Sequence, residues 1–242
     1  MDITARQLRS MVADVDDVHH ESMRTLGSEL EELHLGETGR RLVEGRREFL
    51  KKAGAGAALA AVGAMSAVGT SAVMARAAAA QVGLPIDVVV ATYAARVELA
   101  AVAAYEAAAG RGLLDQATID LATVFIGHHN DHAGAFNGLL TAVGQSTVAE
   151  PDAGLLSQYS PMIASAPDSR ALLEIALTLE QTAAATYVDA LGRLELPEAA
   201  LAVAQIAPVE SQHALVLATA LNQPIAERLP AFEVTSSSLL SS

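Results

Sequence analysis

Residues 98–111 laid on residues 180–193 without a gap agree at 7 of 14 positions. The shared residues are Glu98/Glu180, Ala101/Ala183, Ala103/Ala185, Tyr105/Tyr187, Ala108/Ala190, Gly110/Gly192 and Arg111/Arg193. Alanine matches are expected by chance in a chain this rich in alanine, whereas matches of Glu, Tyr, Gly and Arg are not. A second correspondence trails the first. His129-Asn130-Asp131-His132-Ala133 begins 31 residues after Glu98, and Glu210-Ser211-Gln212-His213-Ala214 begins 30 after Glu180. The region therefore reads as one helix pair used twice. Composition agrees with helices: alanine loses no side-chain entropy in a helix, and the chain has no Trp, four Phe and four Tyr.

The four expected helices run over about Pro85–Ala109, Asp115–Val143, Asp168–Leu191 and Pro197–Asn222. Gly110 and Gly192 stand at the stops of the first and third. The connection from about Gly144 to Pro167 holds Pro151, Pro161 and Pro167 and is long for a turn. It predicts a long crossover between helices 2 and 3, and hence an all-α, antiparallel four-helix bundle over residues 80–222. Pro208 lies inside the fourth helix, where it predicts either a kink that aims Glu210 or a break into two shorter helices. Residues 223–242 carry two prolines and read as an extended strap or disordered end.

A helix sets residues i and i+3 on one face, so a Glu-x-x-His pair turns a carboxylate and an imidazole into the same space. Two such pairs facing two further Glu make the inward ligand set of dinuclear carboxylate bundles. The candidates are Glu98, His129, His132, Glu180, Glu210 and His213. Glu98 and Glu180 lie in stretches of small apolar residues, where a carboxylate is costly to bury without a partner. Tyr105 and Tyr187 follow their Glu by two turns and are expected in the core beside the site. His129 stands where the second copy has Glu210, so the first pair reads His-x-x-His and the set is three Glu and three His. That leaves room for manganese, zinc, a single metal or a vestigial site. His128 is the neighbouring alternative to His129, and Asp131 is expected to point elsewhere.

The N-terminal third reads differently. Arg46-Arg47-Glu48-Phe49-Leu50-Lys51 resembles the twin-arginine translocation signal. An uncharged stretch, Ala53 to Ala75, follows, and then Ala75-Arg76-Ala77, a small-x-small cleavage site. Residues 45–79 are thus expected to be an export signal, cut near Ala77 or Ala79; a chance Arg pair before a membrane anchor is the alternative. The resemblance implies the translocation machinery as a partner, metal loading in the cytoplasm, and a periplasmic, envelope or secreted location. In residues 1–44, Leu8, Met11, Val15, Val18, Leu26, Leu30 and Leu33 recur at helical spacing. They predict an amphipathic leader helix, or upstream sequence if Met11 or Met23 is the true start. His19 and His20 read as exposed and not as ligands.

Together these motifs resemble the ferritin-like superfamily, most closely its secreted members with twin-arginine signals, over about Leu84 to Asn222. The resemblance implies a four-helix bundle and a dinuclear iron or manganese centre. An exported metal-binding protein with oxygen or peroxide chemistry is the expectation; a non-catalytic structural or binding bundle with a vestigial site is the alternative. From Ala78 onward there are 17 acidic residues against 5 Arg and no Lys, so this part carries −12 of the −13 total. Such a surface repels nucleic acid and anionic lipid. The absence of Cys excludes disulfides and thiolate ligands. Helices poor in large side chains leave room for a homo-oligomer, though nothing suggests a cage.

Overall fold

The computed structural model describes residues 3–32 and 85–224. The twin-arginine motif, the uncharged stretch, the cleavage site, Leu33 and the tail beyond residue 224 lie outside the described residues. Six helices and no strand occur among the described residues: α1 (Ala5–Glu32), α2 (Ile86–Ala109), α3 (Gln116–Ala142), α4 (Ala153–Ser165), α5 (Ser169–Leu191) and α6 (Pro197–Ala220). None is long and apolar enough to cross a membrane.

Local chemistry sets the boundaries. Asp115, Asp152 and Asp168 cap α3, α4 and α5, each side chain accepting a backbone N–H at 2.9 Å. Pro197 opens α6 at a position where no amide donor is needed. Gly110 and Gly192 follow the ends of α2 and α5 as expected, but both keep right-handed backbone. The left-handed turn is made two residues later in the first copy, by Gly112 at φ 68°. Helix α6 runs unbroken through Pro208, so the two-helix alternative falls.

Helices α2, α3, α5 and α6 form the bundle. Tight links join α2 to α3 and α5 to α6, and each hairpin is packed along its length. Asp87 at the start of α2 accepts from the amides of Glu195 and Leu196 at 2.9 and 2.8 Å, which pins the second hairpin's loop to the first. Small residues let the helices approach closely: Ala95, Ala190, Ala202 and Ala218 are fully buried. The crossover is not irregular. It contains α4, whose Tyr159 and Ile163 are buried against α2 and α5. Helix α4 continues through Pro161.

The opposite side is covered by α1, which lies in the groove between α3 and α6. Leu8, Val12, Val15 and Leu26 are buried there, each contributing about 1.5–3 kcal/mol of apolar burial. The amphipathic helix read in residues 1–44 is present, and it is part of the folded domain. Val18 departs from the expected stripe and is half exposed at 49%.

Candidate metal centre

All six sequence-derived candidates meet inside the bundle. Glu98 comes from α2, His129 and His132 from α3, Glu180 from α5, and Glu210 and His213 from α6; none is more than 1% exposed. Two groups of ligand atoms form, each within 4.8 Å: Glu98, His129, His132 and Glu210, and His129, Glu180, Glu210 and His213. Glu210 is common to both. Its Oε1 lies 2.8 Å from His132 Nδ1 and its Oε2 lies 3.4 Å from His213 Nδ1. His129 is the other shared residue, with Nδ1 2.7 Å from Glu98 Oε2 and Nε2 3.2 Å from Glu180 Oε1. A carboxylate can bridge two cations; a neutral imidazole offers one lone pair and serves one. The two halves of the centre are therefore chemically unequal.

The duplication is visible as a crossed pair of hydrogen bonds. Tyr105 of α2 donates to Glu180 Oε1 of α5, and Tyr187 of α5 donates to Glu98 Oε1 of α2. Burial and the facing carboxylates push both phenols well above their usual range, so both stay protonated donors. The tyrosines sit in the core beside the site, as the repeat implied.

The buried charges balance among themselves. Burial alone would raise the Glu98 carboxyl, but His132 and His129 outweigh it and bring it down to about 2. Burial opposes Glu180 likewise, and His129 and His213 hold it well below the usual range. Burial would discharge His132, yet Glu98 and Glu210 push it up to about 9. His129 and His213 are raised by the same kind of contest. The carboxylates of Glu98 and Glu180 thus favour the protonated form of the imidazoles they face, and the imidazoles favour the ionised form of those carboxylates.

This arrangement fits a metal pair. Both oxygens of Glu210 and both ring nitrogens of His132 are buried without an aligned hydrogen bond, although His132 and Glu210 are in close approach. A divalent cation between them would satisfy the Glu210 oxygens and His132 Nδ1. On the α4 side, a cavity of about 20 Å³ touches Glu98 and His129, walled by Val97, Ala101, Tyr159 and Thr182. It has room for about one water-sized molecule.

Three residues beyond the expected set surround the centre. His19 of α1 is not exposed, as its sequence context suggested, but completely buried. It stacks on His128 at 3.8 Å and meets Asp131 Oδ2 through Nε2 at 3.1 Å. The reason is position: His19 falls on the stripe of Leu8, Val12, Val15 and Leu26, while its neighbour His20 points outward, 69% exposed. His128 does not replace His129; it stands behind His213, with Nδ1 2.9 Å from His213 Nε2. Asp16 lies 2.9 Å from His128 Nε2. Asp131 does point away from the ligands, toward His19, and its side chain is 56% exposed.

A family model described as a ferritin-like domain matches residues 86–223. No curated protein and no solved structure matches the chain. The matched stretch takes in the whole bundle and every one of the six facing carboxylates and imidazoles, and the chain belongs to the ferritin-like domain family.

Proposed function

We propose that this protein is an exported metal-binding protein whose Glu98, His129, His132, Glu180, Glu210 and His213 hold a dinuclear centre, with iron or manganese as the ions. The observation that supports this most is the placement of Glu210: one buried carboxylate stands between two ligand groups, with both oxygens lacking an aligned hydrogen-bond donor. When bound, such a metal pair supplies Lewis acidity and electrons to a small oxidant. The chain's own part is distinct. Tyr105 and Tyr187 orient Glu180 and Glu98 by donating to them. The apolar walls of the cavity keep bulk water away from Glu98 and His129, and its size suits dioxygen or hydrogen peroxide. Three carboxylates against two divalent ions leave a net positive charge, which favours the divalent over the trivalent state.

Full-length protein expressed with iron, manganese or zinc supplied is expected to carry two metal equivalents per chain, and Glu210→Ala none. Substoichiometric metal in every preparation would favour the second reading, a non-catalytic bundle with a vestigial site. His129 in the bridging place is the observation on its side. Export by the twin-arginine route rests on Arg46, Arg47 and the residues after them. Replacing both Arg by Lys is expected to keep the protein in the cytoplasm; unchanged export would refute that route.

A further inference from the structure

Helix α1 lies outside the matched family region, and no residue of it was expected at the metal centre. The geometry nonetheless ties it there through one line of contacts. His213 turns Nδ1 toward Glu180 Oε2 and Glu210 Oε2, at 3.2 and 3.4 Å. A cation taking Nδ1 leaves the ring proton on Nε2. That N–H points to His128 Nδ1, 2.9 Å away, which must then accept. His128 consequently carries its own proton on Nε2, and that N–H donates to Asp16 Oδ1 at 2.9 Å. The rings are held in place by stacking. Phe125 lies on His213 at 3.8 Å, and His19 lies on His128 at 3.8 Å.

We infer that α1 is a working part of the metal centre: Asp16, acting through His128, fixes the tautomer and the orientation of His213. Resting on the metal reading of the site, this makes Asp16 and His128 positioning residues. Carboxylates that orient ligand histidines in this way change metal affinity about 10–100-fold when lost. Asp16, His20 and His128 also lie close enough together to hold a cation themselves. The same proton order argues against it, because His128 Nε2 is protonated whenever His213 serves the centre through Nδ1.

The test uses full-length protein and Co2+ as the probe, with visible absorption as the readout. Asp16→Ala is expected to weaken Co2+ binding about 10–100-fold and to alter the absorption bands. Asp16→Asn, which keeps an acceptor but not the charge, should fall between, and Asp16→Glu should restore both affinity and bands. In the Zn2+-loaded chain, 15N-histidine spectra should show His213 and His128 both protonated at Nε2, and His128 losing that preference in Asp16→Ala. Should Asp16→Ala fail to fold, Asp16→Asn carries the decision. Equal affinity and identical bands in wild type and variants would overturn the inference and leave the metal reading standing. A third Co2+ equivalent lost in His20→Ala would also overturn it, since His128 Nε2 would then be a ligand. Wild type that binds no Co2+, Zn2+, iron or manganese would overturn both.

Discussion

The two flanks of the bundle close the same centre by different means. On one side α4 presents Tyr159 and aliphatic walls, and a water-sized cavity reaches Glu98 and His129. On the other, α1 presents His19 and Asp16, which meet Asp131 and His128 through hydrogen-bonding contacts. An apolar flank can admit a small neutral reactant without stabilising stray charge. A polar flank can orient ligands and carry a fixed pattern of protons. The difference teaches that the cavity and the hydrogen-bonded support lie on separate sides, so each can be altered with the other left in place.

The strongest way to break this contrast is at Tyr159. Tyr159→Ala removes a buried ring from the α4 flank and should cost about 3–5 kcal/mol in urea unfolding, while two metal equivalents remain bound. Loss of the metal would show that α4 also positions ligands. Leu26→Ala on the α1 flank is next. It should cost about 2–4 kcal/mol, raise protease sensitivity within residues 5–32, and weaken metal binding along with α1 docking. Intact affinity with α1 released would erase the functional meaning of that flank. Ala101→Val fills part of the cavity and is expected to cost under about 2 kcal/mol. Metal content should hold, and on the proposed peroxide chemistry consumption should fall; unchanged consumption would move the proposed reactant path elsewhere.

The smallest effect concerns acid. Burial and the nearby His132 lower His19 to about 4, against the pull of Asp131. The groups facing it are His128, His132, His213, Asp131 and the adjacent His20. A histidine depressed in the folded state is neutral in both states above about 6.5, and its penalty appears only below that. Metal-free protein should therefore hold α1 most firmly at neutral pH and less firmly as pH falls from about 6.5 toward 4. Amide exchange in α1 measured across that range checks this; exchange in α4 should respond less.

The centre was legible in the chain because its candidate ligands recur. Each Glu-x-x-His or His-x-x-His run is a local pattern, and the repeat sets the two runs 31 and 30 residues after a lone Glu. The α4 flank was hidden by Pro151, Pro161 and Pro167, which read as a connection; α4 fits between the first and last and accepts the middle one. The α1 flank was hidden for another reason. Amphipathic spacing shows that a helix has a partner but not which groove receives it. His19 could have been placed by its four- and seven-residue steps from Val15 and Leu26. Val18, one position away, is apolar yet half exposed, so polarity alone does not mark the buried stripe. Asp16 and His128 are joined only through the fold, 112 residues apart, and no local pattern links them.

The crossed tyrosines bind the two copies to a common fate. A one-residue slip of α5 would turn Tyr187 and Glu180 by about 100° together, stripping Glu98 of its donor and Tyr105 of its acceptor in the same event. Neither hairpin can be lengthened, shifted or replaced by itself without damage in its sibling. Such mutual dependence fits what the two copies share: the Glu and Tyr that reach across agree, while four of the six residues between them differ.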